Sequence, residues 1–480
     1  MKRHYTKYNN SNIESYQKYF YVEDITNEKN EVLIKKLSNV SGSDVDDSPD
    51  INMEYSYDST QWITLPLITS EGVTIHIPKK SKVYLRGNNN RLAIDRYDIN
   101  NKQYICYINI TCTNNHNIGG NIMSLVHGSQ FINKTTFPSN SSLMLYGLFQ
   151  NSQTLINSNK LILPATTLTN YCYQYMFYNC NNLITSTTIL PAEKATNSCY
   201  YCMFQNCKSL TTMPELIATT LAPNCYYSMF NNCSSLITIT SKLPATILSK
   251  HCYQNMFSNC VNLINTPTTL PATTLADYCY SHMFNGCSKL KKSPLLLPAM
   301  ELFNSCYNYM FYNCINLINA PELPAIKLAN NCYTNMFGKC KALTTAPELP
   351  ATTLGDNCYQ SMFVDCVNLI NVPTELPATI LSNRCYYNMF NGCSSLTTAP
   401  VLPATTLING CYQYMFQGCK KLNYIKALFI NYSNNNNELT NWVYNVNENG
   451  TFVINKNANY NVEEIRGGNG IPLKWNVITE

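Results

Sequence analysis

Between residues 161 and 422 one stretch of sequence recurs at an almost fixed interval, and that recurrence limits the chain to a repeat architecture. The pattern LPATTL-xxx-CYxxMFxxCxxL appears in ten full copies, whose Met-Phe pairs end at Phe177, Phe204, Phe230, Phe257, Phe284, Phe311, Phe337, Phe363, Phe390 and Phe416. The interval is always 26 or 27 residues. A degenerate copy precedes them, with Leu148-Phe149 in place of Met-Phe and Leu155 where Leu183 stands in the first full copy. One such unit cannot bury its own apolar face; stacked neighbours bury a continuous core. The 480 residues therefore do not call for several unrelated compact cores.

Spacing within a copy predicts one helix and one strand. Leu168, Cys172, Met176 and Cys180 stand four apart, and Tyr173 and Phe177 form a second column. Two adjacent i, i+4 columns predict a wide apolar helical stripe. Asn285-Gly286, Asn391-Gly392 and Gly418 fall at its end, where a left-handed residue closes a helix. Three residues after the second cysteine comes a leucine (Leu183, Leu210, Leu236, Leu263), then a Thr/Ile/Asn-rich run closed by Leu-Pro. β-Branched residues favour a strand there, and proline suits its end. The expected fold class is an α/β repeat solenoid of leucine-rich-repeat type, with a parallel strand plus a helix per repeat.

The motif CYxxMFxxCxxL with LPATTL resembles the BspA-like leucine-rich repeats of bacterial surface proteins. The C-terminal run TNWVYNVNENGTFVINKNANYNVEEIRGGNGIPLKWNV, with Trp442, Gly450, Phe452, Gly470 and Trp475, is similar to the segment that caps such arrays. This resemblance implies a surface-exposed adhesive or interaction module without catalysis.

Upstream the pattern changes to short alternating runs: YFYVED, EVLIKKL, NMEYSYD, QWITLPL, VTIHIP, KVYLRG and YICYINITC. Separated by polar turns, these predict an N-terminal all-β, sandwich-like domain. The expected organisation is a tail over 1–18, the β domain over 19–118 with an acidic loop at 39–51, a linker and N-terminal cap with the degenerate repeat over 119–160, the solenoid over 161–430, and a C-terminal cap over 431–480.

Chemistry-bearing residues are few. Of 23 cysteines, twenty fall on the repeat, at a spacing that is not a zinc-ligand spacing. They are expected as a buried thiol ladder packing like small hydrophobes, with cross-copy disulfides as the alternative. Cys199 and Cys202 form a lone CxxC, with Cys202 expected at a variable surface position. Glu322, Glu348 and Glu375 precede Leu-Pro in three consecutive copies; they are expected as solvated turn residues, the alternative being a carboxylate ladder around a cation. His4, His76, His116, His127, His251 and His282 sit in no catalytic or metal motif. No enzyme, cofactor or metal is expected.

The formal charge is +5, without the basic block that tracks phosphates, so nucleic acid is not an expected partner. Residues 163–422 carry 13 Lys/Arg and 9 Asp/Glu, so contact must work through hydroxyls, amides and aromatics. The candidate partner-binding row is Thr185, Thr212, Thr238, Asn265, Asn319, Thr345, Asn371 and Thr398. Beside it run Ile184, Ile237, Ile264, Ile318 and Ile370, and Tyr175, Tyr201, Tyr227, Tyr309, Tyr387 and Tyr414 are expected exposed on the helical side. Such a surface suits a protein or a surface glycan. No apolar run reaches a membrane span, and the first twenty residues lack the apolar core of a secretory signal. The expected role is therefore attachment or assembly as a bacteriophage virion appendage, joined to other virion or surface proteins through the N-terminal domain. A bacterial cell-surface adhesin is the alternative, and an intracellular interaction scaffold the second.

Overall fold

The computed structural model describes residues 17–40, 51–97, 102–138, 141–431 and 437–480, in two compact units, Met1–Leu243 and Pro244–Glu480. All but the last two residues of the expected tail, and most of the acidic loop, lie outside the described residues.

In the first unit the alternating runs form strands. Along β2 (Asn30–Ser38) buried Asn30, Val32, Ile34 and Lys36 alternate with half-buried Glu31, Leu33, Lys35 and Leu37, the period of two that a pleated strand imposes. It lies in a four-stranded antiparallel sheet with β5 (Val73–Ile77), β7 (Ala93–Tyr97) and β8 (Gln103–Cys112), in the order β5-β2-β8-β7. The second sheet contains β1 (Phe20–Asp24), β3 (Met53–Ser56), β4 (Ile63–Thr64), β6 (Lys82–Gly87), β9 (His116–Asn121) and β10 (Leu155–Ile162), in the order β10-β9-β1-β6-β3-β4.

Both sheets continue into the degenerate copy. β10 runs parallel to β9. Residues 143–151 lie along β8, where the Ile110 amide donates to the Leu148 carbonyl at 2.7 Å. The Asn109 side-chain amide reaches the Gly147 and Gln150 carbonyls, and the Tyr107 and Tyr146 rings meet edge to face at 5.2 Å.

The helix expected in each copy does not form. Among the described residues the one α-helix is α1 (Ser124–His127), outside the full copies. The CYxxMFxxC segment is instead a coil of overlapping turns that repeats every four residues. In the first full copy Tyr171, Tyr175 and Asn179 have φ of 60°, 57° and 60°. Amides of Gln174, Met176, Tyr178 and Cys180 donate three residues back, to Tyr171, Tyr173, Tyr175 and Phe177. Those of Tyr171, Tyr173, Tyr175, Phe177 and Asn179 donate instead to the next copy, at Asn197, Cys199, Tyr201, Met203 and Gln205. Backbone donors thus alternate between local turn and neighbouring copy, and buried backbone must find partners in this way. The second unit repeats the scheme, for example Tyr253 to Cys279 and Phe257 to Met283 across copies, and Met256 to Tyr253 within one. The cause is legible in the columns: a 3.6-residue helix rotates each i+4 step by about 40°, so an unbroken four-residue column over Leu168, Cys172, Met176 and Cys180 drifts out of line. A period of four holds it.

Asn-Gly accordingly marks the third left-handed position of the coil rather than a helix end. Asn259, Gly286 and Asn313 all have positive φ there. A Cβ at Gly286 would come within 2.4 Å of the Asn259 side-chain oxygen, so glycine lets the neighbouring amide lie across it.

The expected strand is also reduced. β11 (Ile189–Leu190) pairs with β13 (Glu215–Leu216), and β12 (Lys194–Ala195) with β14 (Thr220–Leu221), all parallel. Elsewhere single bridges replace it, such as Asn265 to Lys292 and Thr345 to Asn371. Prolines flanking the run remove ladder donors and keep it short.

Aromatic columns fill the interior. In the second unit Tyr253, Tyr280, Tyr307, Tyr333, Tyr359, Tyr386 and Tyr412 stack at 5.5–5.9 Å. Phe257 through Phe416 stack at 5.5–5.7 Å. Trp442 continues both columns, 6.0 Å from Phe416 and 6.1 Å from Tyr412. Its neighbours Asn437, Asn441 and Asn445 have positive φ, so the coil persists beyond the tenth copy. β15 (Tyr424–Lys426), β16 (Thr451–Ile454) and β17 (Asn476–Thr479) form a parallel sheet beside it.

Candidate binding surface

Stacking consumes most of the reactive chemistry. All 23 cysteines are free and buried. Thiols of the second column donate to the Phe carbonyl of the preceding copy, as Cys207 to Phe177 at 3.1 Å and Cys340 to Phe311 at 3.2 Å. Burial pushes Cys180, Cys279 and Cys366 from 9.0 up to about 12, which leaves little nucleophilic thiolate near neutrality. Cys202, expected at the surface, is 3% exposed and its thiol hydrogen-bonds with Tyr201 and Ser228. The four-residue coil turns that position inward, where a helix would have turned it out.

Tyrosines of the variable pair are half-buried, not exposed. They cover one another between copies: Tyr201 stacks on Tyr227 at 4.7 Å and 4°, and Tyr309 on His282 at 4.7 Å and 4°. His116 is buried, which lowers its pKa to about 4. Glu322, Glu348 and Glu375 are exposed. Among the described residues no group of three or more His, Cys, Asp or Glu is arranged to hold a metal, and no helix is long and apolar enough to cross a membrane.

The candidate row follows the bridges between copies. In the first unit Thr185 is half-buried and its hydroxyl donates to Asn157 Oδ1 at 2.9 Å. Thr212 is exposed and its Oγ1 accepts the Ser186 amide at 3.1 Å; Thr238 is exposed. In the second unit Asn265, Thr345, Asn371 and Thr398 are exposed and sit on bridges to Lys292, Asn371, Thr345 and Tyr424. Asn371 Nδ2 donates to Thr345 Oγ1, and Asn319, half-buried, donates to Ser293 Oγ, both at 3.1 Å. Each unit therefore brings its share of the row into line, and part of the hydrogen-bonding capacity links one copy to the next. An amide keeps a second N–H and its oxygen for a partner, and a hydroxyl that accepts, as those of Thr212 and Thr345 do, keeps its proton.

Exposed isoleucines stand next in sequence to the row: Ile184 and Ile237 in the first unit, Ile264, Ile318 and Ile370 in the second. In the second unit Ile-Asn pairs alternate with Lys291-Lys292, Thr344-Thr345 and Thr397-Thr398. Sequence reasoning missed a further exposed group, Leu295, Leu296, Met300 and Phe303; its signal was the departure of one copy from LPATTL.

Two solved structures are similar to the chain. One is a leucine rich cell surface protein from Faecalibacterium prausnitzii, 17% identical, with a TM-score of 0.34, covering 80% of this chain and 93% of its own. The other is a leucine-rich repeat protein from Bacteroides ovatus, 16% identical, with a TM-score of 0.35, covering 69% of this chain and 86% of its own. No protein-family model and no curated protein matches the chain.

Proposed function

We propose that the chain is a non-enzymatic binding or structural protein, displayed outside a bacterial cell, that uses its repeated surface for attachment. The observation that carries this reading is the pairing of exposed Ile318 and Ile370 with Asn319 and Asn371 on copies whose thiols and most aromatic rings are committed to stacking. Regular apolar contacts flanked by amides suit a protein or glycan surface, where short polar groups fix orientation and apolar ones supply burial.

The motif resemblance favours the bacterial cell surface as the place of display; a virion appendage is the competing reading. Immunodetection on intact source cells and on purified phage particles from the same culture separates the two. For the binding face, labelled full-length chain is incubated with intact cells and retention is measured. Changing Thr345, Asn371 and Thr398 together to Lys should reduce retention, with stability nearly unchanged because the sites are exposed. Retention through this row should vary little between low and physiological salt, since screening acts on charge pairs. Unchanged retention by the triple variant removes the row from the reading.

A further inference from the structure

The last turn of the coil ends against glycine instead of another full copy. In the full copies the amide at the Phe position donates to a methionine carbonyl of the next copy, as Phe257 does to Met283 at 2.9 Å. At the cap the Val443 amide donates to the Gly468 carbonyl at 3.3 Å, so Gly468 takes the place of that methionine. The residue left uncovered is Tyr444. Tyr312, at the same position of an earlier turn, is half-buried, with the Lys339 ammonium 5.4 Å from its ring centroid. Tyr444 is 57% exposed.

Packing does not demand glycine at 468. A Cβ there would rest 3.6 Å from Tyr444 Cβ and Cδ2, an ordinary contact, and the backbone lies outside the left-handed region. A side chain would cover the tyrosine. Its absence opens a cleft of about 250 Å³ whose lining includes Tyr444, Asn445, Glu448, Gly468, Leu473 and Lys474. The far wall is held in place: Arg466 Nη1 donates to the Pro472, Leu473 and Trp475 carbonyls at 3.1–3.3 Å. Trp475 Nε1 donates to the Asn447 carbonyl at 2.8 Å and ties that wall to the coil. Lys474 Nζ meets Glu448 Oε2 at 3.1 Å, with both side chains exposed. A cleft fixed in this way spends little affinity on ordering itself.

Its lining defines a ligand. Clefts for drug-sized molecules start near about 300 Å³, so this one holds a single small ring. The bare face of Tyr444 carries the negative side of a ring quadrupole and attracts polarised C–H groups; Leu473, 71% exposed, adds apolar contact. One carboxylate and one ammonium cancel in charge, and the Asn445 amide both donates and accepts. A pyranose has a flat C–H face and a rim of hydroxyls that donate and accept. We propose that the cleft binds one neutral pyranose sugar, its C–H face on the Tyr444 ring and its hydroxyls held by Asn445, Glu448 and Lys474. The site goes beyond the attachment reading, since it uses none of the Thr/Asn row.

The test uses the full chain and the methyl glycosides of glucose, galactose, mannose and N-acetylglucosamine, beside glucuronic and sialic acids. Saturation-transfer NMR and titration calorimetry report binding. At least one neutral glycoside should bind with Kd on the order of 1 mM, the range open to a ligand of about a dozen heavy atoms. Gly468→Leu fills the cleft without backbone strain and should weaken binding about tenfold or more, as should Tyr444→Ala. Tyr444→Phe keeps the ring and should stay within about twofold. Circular dichroism should show all three variants folded. No binding by any neutral glycoside at concentrations well above that Kd overturns the proposal. So does tighter binding of the acidic sugars, or binding left unchanged by both Gly468→Leu and Tyr444→Ala. If the Thr345/Asn371/Thr398 variant loses cell retention while no glycoside binds, the attachment reading stands and the sugar site falls. If that variant is retained in full while Gly468→Leu abolishes glycoside binding, the row falls and the sugar site stands.

Discussion

The thiol of Cys314 donates to the carbonyl oxygen of Phe284 on the preceding copy at 3.1 Å, and that oxygen also accepts the Cys287 amide at 3.2 Å. The second cysteine of each copy is thus a small apolar group with one weak donor, aimed at the unused lone pair of a buried carbonyl. Serine would bury a hydroxyl at higher desolvation cost, and alanine would leave a gap with no donor.

This ladder makes stability fall at alkaline pH. Burial raises Cys279 and Cys366 from 9.0 to about 12 in the folded chain. Between those values the unfolded chain releases thiol protons that the folded chain retains, so stability is full below about 9 and declines as pH rises toward about 12. Urea midpoints should therefore drop across pH 9 to 11, with no matching drop between 6 and 8. Native thiols should resist a thiol reagent at pH 7.5, while denaturation without reductant should release nearly all 23. Prompt labelling of many thiols in the native chain, or recovery of few after denaturation, would contradict the ladder.

Asn313 has φ of 59° and is exposed, so substitutions there probe backbone conformation with little packing contribution. Asn313→Gly should leave the urea midpoint near its starting value, because both residues accept the left-handed region. Asn313→Val should cost about 1–2 kcal/mol, the penalty for a branched side chain held at positive φ. A helix would give the reverse order, since glycine is the weaker helix former. Equal tolerance of valine and glycine would be incompatible with the turn coil.

Much of this is legible in the sequence. Period, copy number and buried columns follow from apolar spacing alone, and the predicted N-terminal runs coincide with β1 to β6 and β8. The expected helix fails because i, i+4 spacing fits both a 3.6-residue and a four-residue period over one turn. Only the unbroken run through Cys180 separates them. Gly286, Gly392 and Gly418 do take the left-handed conformation expected of them, yet the element they belong to has a different period from the expected one. Tyr171 and His251, at φ of 60° and 56°, give no signal, since cross-copy hydrogen bonds override their local preference. The extra turn of coil at Trp442 is readable as a ring 26 residues after Phe416, with tryptophan in place of phenylalanine. For the candidate row, spacing identifies which residues align, while the share of their hydrogen bonds spent on neighbouring copies depends on side-chain rotamers that no pattern records.

The repeat also separates two kinds of damage. Deleting residues 272–298 removes 27 residues and joins Pro271 to Ala299, which restores the LPA phase of the next copy. Each copy contacts its neighbours through equivalent groups, so the shortened array can re-form the same bonds, and its stability should fall by the contribution of one copy. Phe311→Asp removes no residue but acts on the whole stack. The Phe311 ring is fully buried and lies 5.6 Å from Phe284 and 5.7 Å from Phe337. A carboxylate there leaves two ring faces uncovered and buries an unpaired charge, a change that costs more than about 4 kcal/mol. Circular dichroism and urea unfolding should show the deletion chain folded and the Phe311→Asp chain unfolded or strongly destabilised. Loss of folding on deletion, together with full tolerance of Phe311→Asp, would mean that the copies do not stack as equivalent units.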